Sequence, residues 1–344
     1  MGDAVVGLVG DVMLARGVAD TVAAHGRDPR VVWGDLLTEL TSTDTVVANL
    51  QCAITDHLRW WSHSRRPFLF KAPPEATAVL SAGNVGMVSL ANNHALDYEE
   101  KGLRDTLRHL AAVRIAYAGA GRDLGEAIRP AVKRIGSLSL GLVAVSEQDP
   151  EWAAGPGKAG VYHLPLDPNP GTLRQIERSL AAARRAGADF VVFSMHWGHS
   201  YQRATPTYVR ELARAAVDRG ADLVYGHGPQ TLHGIEVYDR TPILYSAGSL
   251  LDDYAVDPVL RNDLTAVFLL QLREARVERL RIVPVRRKFT TLRYASGADL
   301  DEVADRLIER SAELDTVVTR SNRVLEVDCA AGSAESTRKR RRVT

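Results

Sequence analysis

The chain has 344 residues, a formal net charge of +1 and 25% charged residues. Its net charge is therefore too small to attract nucleic acid or anionic membranes by itself. Its length allows a large core in one or two domains. Two cysteines, Cys52 and Cys329, exclude a disulfide framework, and neither belongs to a Cys-x-x-Cys pair. No leader pattern and no apolar run of membrane-spanning length is present. We therefore expect a cytoplasmic protein that binds neither nucleic acid nor membranes.

Apolar runs of strand length alternate with helical patterns along most of the chain, which predicts an α/β fold. Strands are predicted over 5–9, 45–48, 85–90, 190–195 and 223–225, with hairpins over 131–145 and 264–285. Helices are predicted over 33–40, 75–82, 99–112, 173–186, 207–219 and 299–313. We assign a catalytic domain to 1–290, a peripheral helical segment to 291–329 and a disordered basic tail to 330–344.

Polar side chains follow the carboxyl ends of several predicted strands. In chain order they are Asp11, Asn49, Gln51, Asn93, His94, His196 and His227. In an open α/β sheet ligands bind at this edge, so repetition at successive strands indicates a common site. Each residue alone has a simpler interpretation, since Asp11 could cap a helix, Asn-Asn is common in turns and a lone histidine is often structural.

The residue types at these strand ends suit a hard metal ion. Carboxylate and amide oxygens together with imidazole favour Ca²⁺, Mg²⁺ or Mn²⁺ over metals that prefer sulphur. We predict a divalent ion, with Ca²⁺ favoured, and no organic cofactor. The sequence contains neither a Ser-His-Asp elbow nor a Walker-type loop.

Residues 56–72 form an irregular stretch rich in indole and guanidinium groups, including Trp60, Trp61, Arg65 and Arg66. One interpretation is a loop that packs on its own domain. The other is a recognition lid, in which Arg65 or Arg66 binds a carboxylate or phosphate and a tryptophan supplies an apolar wall. Exposed aromatic side chains reduce solubility unless they cover something, so a mere connecting loop is disfavoured and both interpretations stay open.

The chain resembles the CapA-like family, named for poly-gamma-glutamate capsule synthesis, in an ordered set of motifs: Gly10-Asp11, Asn49-Leu50-Gln51, Ala91-Asn92-Asn93-His94-Ala95-Leu96-Asp97, His196-Trp197-Gly198, Gly226-His227-Gly228-Pro229-Gln230 and Tyr245-Ser246-Ala247-Gly248-Ser249. The resemblance covers roughly residues 4–285. It implies a four-layer α/β/β/α sandwich of the calcineurin-like metallophosphoesterase type.

The resemblance also implies a role for each matching position. It places Asp11, Gln51, Asn93, His196 and His227 around the metal, with His94 as the acid/base histidine oriented by Asp97. From the strand ends themselves we add Asn49 to the metal ligands, and Asp11 and His227 to the catalytic groups. Two positions depart from the family pattern, because Gln51 replaces a usual glutamate and Gln230 a usual histidine. A centre with two ions needs an anionic bridge, so the neutral Gln51 predicts one ion and weak or absent phosphatase activity.

Acid and base groups around one hard cation suit proton abstraction beside a carbonyl group. The chain also looks like the branch of this family associated with lasso-peptide clusters, in which a calcineurin-like protein epimerises the C-terminal residue of a precursor peptide. We therefore expect a peptide epimerase acting on an aromatic C-terminal residue, tryptophan being favoured. The expected substrate contacts are Trp60, Trp61, Arg65, Arg66, Trp197 and Gln230. There are two alternatives. One is a metal-dependent hydrolase of phosphoesters or gamma-glutamyl polymers, and the other is a non-catalytic peptide scaffold. The sequence does not indicate an oligomeric state.

Overall fold

The computed structural model describes residues 3–61 and 68–330. The strands, in chain order, are β1 (Ala4–Val12), β2 (Thr45–Leu50), β3 (Ala53–Ile54), β4 (Lys71–Ala72), β5 (Val85–Ser89), β6 (Ala116–Ala118), β7 (Ala120–Gly121), β8 (Ala131–Ile135), β9 (Leu138–Ser146), β10 (Gly160–Val161), β11 (Phe190–His196), β12 (Leu223–His227), β13 (Ile235–Tyr238), β14 (Thr241–Leu244), β15 (Ser249–Leu251), β16 (Leu264–Arg273), β17 (Arg276–Lys288), β18 (Thr291–Tyr294), β19 (Thr319–Ser321) and β20 (Val324–Asp328). The α-helices are α1 (Gly17–Ala24), α2 (Leu37–Thr41), α3 (Ala76–Ala82), α4 (Glu99–Ala112), α5 (Leu124–Ala127), α6 (Pro170–Arg185), α7 (Thr207–Asp218) and α8 (Ala298–Ala312).

Two large sheets carry the fold. In the first the strand order is β19-β20-β17-β16-β1-β2-β5-β6, and β15 and β18 pair with β1 and β17. Its strands β1, β2, β5 and β6 are parallel, whereas β16 and β17 form the long antiparallel hairpin that the sequence predicts. In the second sheet the order is β13-β14-β12-β11-β9-β8, with β9, β11, β12 and β14 parallel. The predicted α/β class is confirmed.

Three buried apolar clusters separate the layers. The middle cluster joins the two sheets, with Leu8 and Met87 from the first and Leu142 and Tyr225 from the second. Another cluster packs α3 and α4 on the first sheet, and a third packs α6 and α7 on the second. This order of helix, sheet, sheet and helix explains why β2 and β11 are apolar on both faces, as strands in parallel sheets usually are.

The segment over 291–329, which we expected to be peripheral, contributes to the main sheet and its core. β18 and β20 pair with β17, and β19 extends the edge. Leu307 of α8 and Leu325 of β20 are buried in the cluster between the sheets. The basic tail over 331–344 lies outside the described residues.

The predicted helix over 33–40 begins as a 3-10 helix, Val31–Leu36, and continues as α2. Gly34 interrupts it with a φ of 48°, and a Cβ there would overlap the carbonyl oxygen of Leu292. Only glycine tolerates both conditions, so the break is fixed by a contact with β18 that the local sequence does not reveal.

None of the described helices combines the length and apolar character needed to cross a membrane. Both cysteines are free and buried. Burial raises the pKa of the Cys52 thiol to about 12, so this group is protonated at neutral pH and is a poor nucleophile.

We expect acidification from pH 7 to pH 5 to destabilise the fold by roughly 2 kcal/mol through His233 alone. The ring is 3% exposed, and burial, reinforced by Arg310 and Arg306, lowers its pKa to about 4. In the unfolded chain a histidine titrates near 6.5. Because the unfolded state binds the proton first, this contribution to stability is complete above pH 6.5 and is lost as pH falls towards 4.

Urea unfolding at pH 7, 6 and 5 checks this expectation. The His233→Gln variant should lose most of the pH dependence, whereas His25→Gln, an exposed position, should keep it. Equal pH dependence in the wild type and in His233→Gln would contradict it.

Candidate active site

Strand register brings the predicted strand-end residues together in pairs. Asp11 of β1 lies beside Asn49 of β2 in the first sheet, and His196 of β11 lies beside His227 of β12 in the second. Tyr225, two positions before His227, donates its hydroxyl proton to the carbonyl oxygen of Val9, so the two sheets approach each other next to these residues. The prediction that separate strands supply one cluster agrees with this geometry.

A chain of hydrogen bonds links Asp11 to the loop after β5. Asn49 donates from Nδ2 to Asp11 Oδ1 at 2.7 Å and accepts at Oδ1 from Asn92 Nδ2 at 3.0 Å. The backbone N–H of His94 then donates to Asn92 Oδ1 at 2.9 Å. The Asn49 oxygen already accepts one hydrogen bond and retains one lone pair, so its role as a metal ligand stays a prediction.

His94 and Asp97 form a buried pair of imidazole and carboxylate. His94 Nδ1 lies 2.7 Å from Asp97 Oδ2, and the same oxygen accepts the backbone N–H of Phe70 at 2.7 Å. An ionised carboxylate only accepts hydrogen bonds, so the proton of neutral His94 lies on Nδ1. Its Nε2 is then a basic nitrogen with a fixed ring orientation, which is the arrangement of a general base.

A second pair consists of His227 and Asp11, whose Nδ1 and Oδ1 atoms are 3.3 Å apart. Burial by itself raises the pKa of Asp11. The hydrogen bond and charge of His227, the charge of His196 and the hydrogen bond from Asn49 outweigh burial and lower this pKa below its usual value. Asp11 is therefore held as a carboxylate beside the His227 ring.

The donor atoms do not fit a centre with two metal ions. Among the described residues no group of three or more His, Cys, Asp or Glu is placed to hold a metal. Gln51 Nε2 lies 3.1 Å from His196 Nε2, so its amide donates to that ring. Buried atoms without a hydrogen bond within the described ranges include Asp11 Oδ2, Gln51 Oε1 and His227 Nε2. One carboxylate, one amide oxygen and one imidazole suit a single hard cation at most.

A cavity of about 1120 Å³ opens beside this cluster. Asn93, His94 and Gln230 line it, whereas Asp11, Gln51, His196 and His227 are buried and do not. The described lining residues also include Arg16, Phe68, Phe70, Glu147, Tyr208, Asp253 and Tyr254. This size is sufficient for a few amino-acid residues of a peptide.

Several lining residues have a backbone conformation that L-amino acids rarely adopt. The φ angles are 51° at Arg16, 52° at Asp149, 64° at Tyr201 and 61° at Gln230. Each such conformation costs about 1–3 kcal/mol and persists where the surrounding structure imposes it, commonly in binding sites. Their presence around one cavity supports its assignment as the functional cleft.

The predicted substrate contacts have different outcomes. Trp197 is fully buried and donates its indole N–H to the carbonyl oxygen of Tyr245, so it is a core residue, and this prediction was wrong. Trp60 is 57% exposed and Trp61 packs edge-on against Trp152, and neither lines the cavity. Arg65 and Arg66 lie outside the described residues.

Sequence reasoning missed Arg16, Phe70, Glu147 and Tyr254. Glu147 follows β9 directly and could have been found by the same strand-end rule. It accepts hydrogen bonds from Gly198 N at 2.6 Å and from the Tyr208 hydroxyl at 3.1 Å. Burial and this carboxylate raise the pKa of Tyr208 to about 12, so its hydroxyl stays protonated at neutral pH and donates its hydrogen bond to Glu147.

The sequence matches the family described as bacterial capsule synthesis protein PGA_cap over residues 5–254. It is 31% identical over 367 residues to a probable polyglutamine synthesis accessory protein of Mycobacterium tuberculosis, covering 94% of this chain and 96% of that protein. It is also 31% identical over 249 residues to the PGA biosynthesis protein CapA of Bacillus subtilis, covering 71% of this chain and 62% of CapA.

The crystal structure of TT1561 of Thermus thermophilus is similar with a TM-score of 0.44 and 11% identity, covering 83% of this chain and 99% of that one. The family match spans most of the chain and includes the strand-end residues described above. The chain therefore belongs to the bacterial capsule synthesis PGA_cap family.

Proposed function

We propose that this protein is a peptide epimerase that inverts the Cα centre of a C-terminal residue, as expected for a ribosomal lasso-peptide precursor. The proposal is based on one observation: two histidine–carboxylate pairs, linked by hydrogen bonds, lie beside one cavity. His94 with Asp97 and His227 with Asp11 are joined through Asn49 and Asn92. Relatives named for polyglutamine or PGA synthesis support a substrate built of amino acids.

In the proposed reaction His94 Nε2 removes the Cα proton, and the electron pair of the C–H bond moves into the adjacent carboxyl group. The imidazolium that forms is stabilised by Asp97 at 2.7 Å. The pair of Asp11 and His227 returns a proton on the opposite face, which inverts the centre without net oxidation. Both residues are at most 2% exposed, so this half of the reaction requires the cavity wall to open when the peptide binds.

We propose that one divalent cation, Ca²⁺ being favoured, is held by Asp11 Oδ2 and Gln51 Oε1, which leaves the His227 imidazole to carry the proton. When bound, it would stabilise negative charge on the substrate's carboxyl oxygens. With a single carboxylate among these atoms, the cation is bound more weakly than in sites with several anionic ligands.

A metal-dependent hydrolase is the second candidate, because the sequence motifs resemble those of a family with a calcineurin-like metallophosphoesterase fold. The deciding feature is residue 51, since a neutral glutamine cannot supply the anionic bridge that two ions need. A non-catalytic peptide scaffold is the third.

Incubation of peptides in D₂O, with and without a chelator, separates these functions. Gain of one deuterium together with a D-configured C-terminal residue is the result expected of an epimerase. Phosphate release, or a mass change equal to one water, would instead support the hydrolase. Peptide binding without deuterium uptake would support the scaffold.

A further inference from the structure

We propose that Arg16 is the subsite that binds the substrate's terminal carboxylate, beside an aromatic surface for the terminal side chain. This inference rests on the proposed function for its substrate and identifies the part of the peptide that is recognised. Arg16 follows β1 and precedes α1, at the same edge of the sheet as Asp11. It is the one arginine or lysine among the described residues that line the cavity.

The exposure of Arg16 and of its ion-pair partner indicates which group faces a ligand. Arg16 binds Asp253 through Nε and Nη2, and Asp253 also accepts the backbone N–H of Gly17 at 3.0 Å. The Arg16 side chain is 37% exposed, but that of Asp253 is only 10% exposed. Asp253 lines the same cavity but is the more buried partner, and it contacts Nε and Nη2, so Nη1 is the part of the guanidinium left to face a ligand.

Aromatic rings surround this guanidinium. Its Cζ lies 4.8 Å from the centroid of Phe70, 5.6 Å from that of Phe68 and 5.8 Å from that of Tyr254. Phe70 and Tyr254 belong to the core or its margin, whereas Phe68 is 57% exposed. The arrangement keeps the cation rigid through cation–π contacts and leaves an apolar face beside it. It favours a peptide end that combines a carboxylate with an aromatic side chain.

Phe70 also relates Arg16 to the proposed base. Its ring centroid is 4.4 Å from that of His94 and 4.8 Å from Arg16 Cζ, so the two groups lie within about 9 Å of each other. An ion-pair contact of about 2.8 Å, a Cα–C bond of about 1.5 Å and a proton-transfer contact of about 3 Å span a distance of this order. A carboxylate on Arg16 would thus bring its own Cα within reach of His94.

Binding to Arg16 would have a chemical consequence as well as a positional one. Loss of the Cα proton next to a carboxylate places a second negative charge on its oxygens. A fixed guanidinium stabilises this charge more than the single charge of the free peptide, which lowers the barrier.

Isothermal titration calorimetry with the tripeptide Gly-Ala-Trp and its C-terminal amide tests the subsite without any need for catalysis. For the wild type we expect the free acid to bind at least about tenfold more tightly than the amide, the ratio typical of one charged contact. Arg16→Met should reduce this ratio to below about twofold. Arg30→Met removes an exposed arginine that is paired with Asp28, and it should leave the ratio unchanged.

Circular dichroism checks that each variant is folded, and Arg16→Gln, which also removes the charge, replaces Arg16→Met if that variant does not fold. An unchanged preference for the acid in Arg16→Met, or no measurable binding of either tripeptide by the wild type, would overturn the subsite. An acid preference that depends on Arg16, without deuterium uptake by the bound peptide, would leave the subsite intact and reject the epimerase. Deuterium uptake that is unchanged in Arg16→Met would support the epimerase and reject Arg16 as its carboxylate subsite.

Discussion

The His94→Gln variant is expected to exchange the Cα proton of a substrate peptide about 10²–10⁴ times more slowly than the wild type. Glutamine retains much of the volume of the ring but has no basic nitrogen. Asp97→Asn should cause a smaller loss, because its amide no longer stabilises an imidazolium and disturbs the orientation of the ring. The exchange rate should therefore be lowest in His94→Gln, intermediate in Asp97→Asn and highest in the wild type. This order is expected because His94 transfers the proton itself, whereas Asp97 acts only through His94.

Proton NMR of the C-terminal Cα–H signal in D₂O measures these rates directly. Both variants should bind the peptide with nearly wild-type affinity, since neither residue is assigned to the carboxylate subsite. His25→Gln is the matched control, because His25 is exposed. Wild-type exchange in His94→Gln would remove His94 from the reaction and leave the Asp11 and His227 pair as the only base.

The strand-end residues were predictable because their position follows from local pattern and general topology. Runs such as 190–195 are apolar enough to require a buried parallel strand, and parallel strands end at one edge. The register then places His196 beside His227 and Asp11 beside Asn49 without further information. The orientation of each amide was not predictable, because Asn49 and Gln51 each offer a donor and an acceptor.

The remaining part of the site depends on contacts that are distant in the chain. Arg16 and Asp253 are 237 positions apart, and no periodicity marks either of them. Phe70 lies in a stretch that the sequence indicates only as unusual, yet it contacts Arg16, His94 and Asp97. Trp197 failed as a substrate contact for a related reason, since its burial beneath Gly228 and Tyr245 is a property of the packed sheets.

The Gln51→Glu variant is expected to bind a divalent cation at least about tenfold more tightly than the wild type, because affinity rises with the number of charged ligands. Without metal the second carboxylate would lie near Asp11 in a buried cluster. We expect it to lower the free energy of unfolding by about 2–5 kcal/mol unless His196 becomes protonated. A cation present at about 100 times its Kd restores about 2.7 kcal/mol.

Thermal unfolding with a chelator and with MnCl₂ measures both effects, and metal analysis after dialysis gives the number of ions per chain. Gln271→Glu makes the same chemical change at an exposed position of β16 and should behave like the wild type. The expected pattern is a large metal-dependent shift confined to Gln51→Glu, with at most one ion in the wild type. Two tightly bound ions in the wild type would show that Asp11 and neutral ligands suffice. The neutral residue at position 51 would then no longer argue against hydrolysis, and the hydrolase would become the better supported function.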